Sequence, residues 1–101
     1  MNKYLRILFF GLLLLFLLPA HADSSAKKFV LVIDAGHGGH DSGALGARSK
    51  EKDINLTVAL AFGRLVEENC PDVTVVYTRR TDVFIPLQRR ADIANNKKAD
   101  L

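Results

Sequence analysis

A glycine-rich stretch carries the histidines and aspartates that are the first candidates for a chemical site. Residues 34–44 read DAGHGGHDSGA, with glycines on both sides of His37. Glycine gives the backbone conformations that other residues resist, so this segment can come close to whatever His37 holds. Imidazole and carboxylate groups are zinc ligands, and Glu51 follows on the next predicted helix. The pattern favours a metal site at His37 and Glu51. The alternatives are a loop histidine bonded to a nearby carbonyl and a glutamate that only complements the helix dipole.

The same loop departs from the two common phosphate-binding patterns. The dinucleotide fingerprint would need a third glycine at position 41, where the chain has aspartate. The P-loop would need a Gly-Lys-Ser/Thr sequence, which is also missing. A small exported domain that binds a nucleotide or phosphate remains an alternative from a different functional class.

Two aspartates of this stretch are candidates for orienting the loop. Asp41 could accept a hydrogen bond from a metal-binding histidine, or it could only close an Asx turn before Gly43. Asp34 ends a predicted strand and could tie down the loop by accepting backbone N–H bonds. We expect His40 to lie at the surface.

The apolar pattern of the remaining chain predicts an α/β fold with the order β-α-β-α. The first run is continuous and β-branched, which is typical of a strand buried on both faces. Cys70, Pro71 and Asp72 end the first helix, and Pro86 opens the second as a first-turn proline should. The predicted elements are a strand at 29–34, a helix at 50–69, a strand at 73–78 and a helix at 86–98.

A strand–helix–strand unit at this spacing predicts a right-handed crossover and a parallel or mixed sheet with flanking helices. Ligands of such sheets bind beyond the carboxyl ends of the strands. The loop after Asp34, the loop after Thr78 and the helix start at Lys50 should therefore meet on one rim. Helical spacing places Glu51 at the centre of an apolar stripe that we expect to pack on the sheet. The stripe consists of Ile54, Val58, Phe62 and Leu65.

The first 22 residues have the pattern of a signal peptide. A basic start precedes the apolar run at 7–18, and residues 20–22 supply the small–x–small cleavage pattern. Twelve apolar residues would rise only about 18 Å as a helix, short of a bilayer core. We therefore expect cleavage and export, to the periplasm or the cell exterior, with no stable membrane anchor afterwards; the alternative is an uncleaved anchor. Residues 23–28 form a polar lead-in to the domain at 29–101.

Charge and cysteine content exclude two further classes. The net charge of +3 falls to +1 when Lys3 and Arg6 leave with the leader, which removes most support for nucleic-acid binding. The single cysteine, Cys70, excludes a disulfide scaffold and is expected to be a small buried hydrophobe.

Two stretches, VIDAGHGGHDSGA at 32–44 and EKDINL at 51–56, resemble the zinc-dependent N-acetylmuramoyl-L-alanine amidases of the amidase_3 cell-wall hydrolase family. The later sequence YTR at 77–79 and the pattern of Leu87, Arg90, Ala94 and Asn95 support this resemblance, which covers about residues 29–101. The resemblance implies cleavage of the amide bond between muramic acid and L-alanine in peptidoglycan. The resemblance does not identify an activator protein.

By this resemblance His37 and Glu51 are the first two ligands of Zn²⁺. Arg79 and Arg90 match family positions, and a structural role for Arg90 would be to clamp a loop carboxylate such as Asp82. The family has a third ligand, a histidine after the next strand, and a late glutamate as general base. No histidine follows His40 and no glutamate follows Glu68.

The missing third ligand and base lead us to expect the N-terminal part of an amidase, incomplete at its C-terminus and without a catalytic base of its own. The alternative is a non-catalytic exported remnant that binds peptidoglycan or metal.

Overall fold

The computed structural model describes residues 2–4 and 26–101. Two strands and two helices follow the predicted order: β1 at Phe29–Ile33, α1 at Glu51–Asn69, β2 at Val73–Tyr77 and α2 at Leu87–Asn96. The α/β fold class is confirmed. The predicted leader at 1–22 lies outside the described residues except for 2–4, and residues 26–28 of the polar lead-in belong to neither a helix nor a strand. None of the helices in the described part of the chain is both long enough and apolar enough to cross a membrane.

The two strands pair in parallel, as the crossover predicts. Phe29 lies opposite Val73 at the start of the ladder, and Ile33 lies opposite Tyr77 at its end. The carboxyl ends of β1 and β2 therefore open on the same edge, which is where the glycine-rich loop begins.

The free edge of β1 is bonded to the last two residues of the chain. The Val32 N–H donates to the Leu101 carbonyl at 2.8 Å, and the Asp100 N–H donates to the Val30 carbonyl at 2.8 Å. The Asp100 carboxylate also accepts the Val30 N–H at 2.8 Å. This bond is the first cause of the lowered pKa of Asp100. Strand β1 thus has hydrogen-bond partners on both of its edges.

The prediction that β1 is buried on both faces is wrong. Phe29 is 45% exposed and the other four residues of the strand are only half-buried. Helix α1 packs on β2, and among the described elements no helix packs as closely on β1. One layer of helix over two short strands leaves much of β1 in contact with solvent.

The apolar stripe of α1 does not pack on the sheet either. Its four members are at least half exposed: Ile54 51%, Val58 61%, Phe62 50% and Leu65 57%. The buried face of α1 instead carries Lys52, Ala59 and Gly63. Small side chains at the last two positions let the helix backbone approach β2 closely, and Tyr77 of β2 lies directly over Gly63. Helix α1 is therefore rotated about its own axis relative to the orientation predicted from the sequence. The close approach of α1 to β2 determines this orientation.

We predict that Gly63→Ala destabilises the domain, although alanine is normally the better helix residue by about 1 kcal/mol. An added Cβ would overlap the ring and hydroxyl of Tyr77, which is itself packed beneath Arg80. Overpacking of this kind costs about 1–3 kcal/mol. Urea unfolding measures the change, with Glu67→Ala on the exposed face of the same helix as the control. A stabilised Gly63→Ala variant would show that Tyr77 moves aside freely.

Candidate metal centre

His37 and Glu51 come together at the carboxyl edge of the sheet. His37 lies in the loop after β1, and Glu51 is the first residue of α1. The His37 Nε2 atom is 3.2 Å from Glu51 Oε1. Their side chains are 33% and 42% exposed, so solvent reaches both. Two groups 14 positions apart in sequence thus form one site on the rim.

The loop reaches this position through left-handed backbone conformations. His37 itself has a φ of 61°, which is uncommon for a residue with a side chain, and Gly38 and Gly39 follow with φ values of 128° and 60°. A Cβ at Gly38 would overlap the backbone carbonyl of Val83. Glycine is needed at position 38 because the loop after β2 lies against its backbone.

Gly43 keeps the space between the two candidate ligands open. A Cβ at this position would lie 2.7 Å from Glu51 Oε2 and 2.7 Å from the Cδ2 atom of His37. The residue also has a φ of 63°, so the left-handed backbone and the lack of a side chain are both required there. The absence of a side chain at position 43 leaves His37 and Glu51 free to face each other.

Asp41 holds the other ring nitrogen of His37. The distance between His37 Nδ1 and Asp41 Oδ2 is 2.9 Å, and Nδ1 is the donor because an ionised carboxylate can only accept. This hydrogen bond is the main cause of a raised pKa for His37 and of a lowered pKa for Asp41. The second oxygen of Asp41 accepts the Gly43 N–H at 3.1 Å. Asp41 therefore makes the Asx turn and the bond to His37 at the same time.

Glu51 is oriented by the backbone of the loop. The Ala44 N–H donates to Glu51 Oε2 at 2.8 Å, which is the first cause of the lowered pKa of Glu51; the nearby His37 ring adds to it. Because this bond occupies Oε2, the other oxygen, Oε1, faces the His37 ring. Glu51 is therefore ionised at neutral pH and presents one oxygen to the site.

The two groups fit a shared divalent metal ion. Two ligand atoms about 2.0–2.2 Å from one tetrahedral zinc lie about 3.3–3.6 Å apart, close to the 3.2 Å between Nε2 and Oε1. A proton fixed on Nδ1 leaves the lone pair of Nε2 for a metal, and the Asp41 carboxylate is the kind of partner that orients ligand histidines. Among residues 2–4 and 26–101, no cluster of three or more His, Cys, Asp or Glu side chains could hold a metal.

Arg90 binds the loop, but through Asp34 and not through Asp82. Its guanidinium is 8% exposed and reaches the carboxylate of Asp34 at 2.6 Å. It also donates to three carbonyl oxygens, those of Ala35 at 2.8 Å, His37 at 2.9 Å and Ile85 at 2.9 Å. Arg90 lies on α2, so it ties the backbone of His37 itself to the second helix.

Arg79 holds the neighbouring part of the loop. This residue is only 4% exposed, and its guanidinium donates to carbonyl oxygens alone. The acceptors are Ala35 at 2.8 Å, Gly36 at 2.9 Å, Lys52 at 2.9 Å and Thr81 at 3.1 Å. Arg79 therefore links the loop that carries His37 to the helix turn that carries Glu51.

The hydrogen-bond donors to Asp34 differ from the backbone N–H groups that we expected from the sequence. Its carboxylate accepts the Thr78 hydroxyl at 2.7 Å and the Arg90 guanidinium, and among the hydrogen bonds of the described residues it accepts no backbone N–H. The reason is that Thr78 follows the neighbouring parallel strand, so its hydroxyl reaches Asp34 directly across the sheet edge.

Sequence reasoning missed Lys52 and Asp82 as an ion pair. Lys52 is 9% exposed and its Nζ atom lies 2.7 Å from Asp82 Oδ2. The spacing of Lys52 from Ala59 and Gly63 would have placed it on the same helix face as these small residues.

His40 is exposed, as expected, and its ring packs on Phe84 with a centroid distance of 4.2 Å. Cys70, expected to be buried, is exposed at the end of α1.

Comparison with protein families identifies close similarity over most of the described chain. Residues 31–101 match the Amidase_3 family, described as N-acetylmuramoyl-L-alanine amidase. The catalytic domain of CwlV, an N-acetylmuramoyl-L-alanine amidase from Bacillus (Paenibacillus) polymyxa var. colistinus, is a similar solved structure. It superposes with a TM-score of 0.70 and 44% identity, over 72% of this chain and 41% of that one.

Two enzymes from Escherichia coli are similar in sequence. N-acetylmuramoyl-L-alanine amidase AmiC of strain CFT073 is 42% identical over 76 residues, which is 74% of this chain and 18% of AmiC. AmiA of strain K12 is 42% identical over 81 residues, which is 79% of this chain and 27% of AmiA. The chain thus spans less than a third of the length of either enzyme.

We predict that Gly43→Ala abolishes metal binding at this site. The new methyl group would push His37 and Glu51 apart, and the left-handed backbone would add strain of about 1 kcal/mol. Gly46→Ala is the matched control, because this glycine lies in the same loop, has no positive φ and meets only Ser49. Titration with Zn²⁺ against a chelating dye measures the affinity of each variant. Parent-like affinity in Gly43→Ala would contradict the site.

We also predict that Arg90→Met destabilises the domain by about 2–4 kcal/mol, because the Asp34 carboxylate and three carbonyls each lose one of their donors. Its exposed neighbour on α2 provides the control, since Arg89→Met should change stability by no more than about 0.5 kcal/mol. Urea unfolding followed by circular dichroism measures both. Equal stability of the two variants would mean that the loop does not depend on Arg90.

Proposed function

The chain belongs to the Amidase_3 family of N-acetylmuramoyl-L-alanine amidases, and on that premise we propose that His37 and Glu51 bind zinc for hydrolysis of the amide between muramic acid and L-alanine in peptidoglycan. The observation that carries the proposal is the approach of His37 Nε2 and Glu51 Oε1 to 3.2 Å at an open rim. Both residues lie in the segment that matches the family.

Each residue of the site has a separate task in this proposal. Zinc, when bound, would act as a Lewis acid towards the amide carbonyl and the attacking water. Asp41 keeps the proton of His37 on Nδ1, so that Nε2 stays available. The Ala44 N–H holds Glu51 in its ionised form with one oxygen directed at the site. A third ligand and a proton-transferring base, which the family has, are not assigned to any of these residues.

A groove beside His37 is suited to the substrate. Its volume is about 520 Å³, and it combines the polar site with an apolar wall from the loop before α2 and from the first residue of that helix. The lining residues are Asp34, Gly36, His37, Asp41, Phe84, Ile85, Leu87 and Arg90. We propose that the muramoyl-peptide chain lies in this groove with its scissile amide next to His37. The proposal also places the protein outside the cytoplasm, where peptidoglycan is found, in agreement with the signal-peptide pattern at 1–22.

The proposal is tested with two pairs of matched variants. His37→Ala and Glu51→Gln should each lower zinc affinity by at least about tenfold, because each removes one of two ligands that converge on one ion. His40→Ala and Asp53→Asn, which change exposed neighbours of the same types, should retain the parent affinity. Zinc content after dialysis and chelator competition provide the measurement.

Hydrolysis is followed separately, as the release of peptide from purified peptidoglycan. We expect any turnover to disappear in His37→Ala and Glu51→Gln and to persist in both controls. Zinc binding that needs both residues but is never accompanied by amide cleavage would favour the second function, a non-catalytic module that binds metal or peptidoglycan. Parent-like zinc affinity in either ligand variant would refute the assignment of ligands.

A further inference from the structure

A closed ring of hydrogen bonds surrounds the Gly39 backbone. The Gly39 N–H donates to Asp82 Oδ1 at 2.8 Å, and the Lys52 ammonium donates to the Gly39 carbonyl at 2.9 Å. The ring closes through the ion pair itself, in which Lys52 Nζ lies 2.7 Å from Asp82 Oδ2. Both polar groups of one residue are thus satisfied by a single pair of opposite charges.

The ring joins three segments of the chain, which Arg79 also links through the carbonyls of Ala35, Gly36 and Lys52. Lys52 is in the first turn of α1, Asp82 lies in the loop after β2, and Gly39 belongs to the loop after β1. The Lys52 side chain is only 11% exposed, whereas that of Asp82 is 52% exposed. A buried ammonium is stable only when it is paired and hydrogen-bonded, so the position of Lys52 depends on both of its partners.

The ring lies next to both candidate ligands along the chain. Lys52 directly follows Glu51, and Gly39 lies midway between His37 and Asp41. Movement of Gly39 away from Lys52 would therefore move His37 away from Glu51. Gly39 has little freedom to adjust, because it has a φ of 60° and packs against the backbone of Phe84.

We propose that Lys52 and Asp82 are positioning residues that set the distance between His37 and Glu51 by clamping Gly39. The proposal rests on the proposed metal function of those two residues. In this proposal neither Lys52 nor Asp82 is a ligand of the ion. Their effect is transmitted through the Gly39 backbone, and its consequence is a preformed pair of ligands.

Cobalt(II) is the probe, because its visible spectrum reports the geometry of the site as well as its occupancy. In the full chain, Lys52→Met and Asp82→Asn should each weaken Co²⁺ binding about tenfold or more, as loss of an outer partner of a ligand does. Both should also change the spectrum at saturating Co²⁺, which a general loss of stability would not do. Arg64→Met removes the cation of an exposed ion pair on the same helix and should leave affinity and spectrum unchanged.

A second measurement needs no metal. In the metal-free protein, the nuclear Overhauser contact between the His37 ring and the Glu51 side chain should be lost in Lys52→Met and Asp82→Asn and kept in Arg64→Met. If the parent binds no Co²⁺, the proposed metal function fails, and this contact alone decides the positioning role. If Lys52→Met does not fold, Asp82→Asn alone provides the test. The Asp82 side chain is half exposed, so we expect this variant to fold. Folded variants with the parent spectrum, affinity and ring contact would overturn the proposal.

Discussion

The site depends on the burial of backbone carbonyl groups in the loop after β1. This loop directs several carbonyls towards buried cations, and an unpaired buried carbonyl would destabilise the fold. Three cations from other segments supply the donors: Lys52 from α1, Arg79 after β2 and Arg90 from α2. Each of these three residues, taken whole, is less than one tenth exposed, and no buried side-chain polar atom in the described residues lacks a partner. The loop and its cations therefore stabilise each other.

The same arrangement explains the electrostatics of the candidate metal centre. Lys52 and Arg90 pair with the carboxylates of Asp82 and Asp34, whereas Arg79 binds carbonyl oxygens alone. At the rim itself, His37 lies between the carboxylates of Asp41 and Glu51. These neighbours, and above all the hydrogen bond to Asp41, raise the pKa of His37, so a proton on Nε2 would oppose the proposed binding of a metal. The candidate centre thus places a titratable imidazole between two carboxylates.

The fold positions this centre with very little apolar core. Only Ala35 and Ala59 are buried apolar residues among the described part of the chain. Close contact between α1 and β2 relies on small residues, and hydrogen bonds to the loop take much of the role that packing has in larger domains. The apolar stripe of α1 and Phe29 of β1 remain exposed, which makes the polar network the main constraint on the shape of the rim.

The element order, the parallel pairing and the edge that carries the candidate site could all be predicted from the sequence. They follow from apolar periodicity, turn residues and the long helical connection between the strands, all of which are local or nearly local properties. It also singled out His37 and Glu51, because glycines around a histidine and a glutamate at a helix start are visible in the residue order.

The buried face of α1 and the pairing of charges follow from tertiary contacts and could not be predicted from the sequence. Periodicity predicted the stripe at Ile54, but the contact between Gly63 and Tyr77 depends on how closely a helix and a strand approach each other. The partners Arg90 with Asp34 and Lys52 with Asp82 are separated by 56 and 30 positions in the chain. Their pairing follows from the way the segments after the two strands meet the first turns of the two helices at one sheet edge, which no spacing in the sequence encodes.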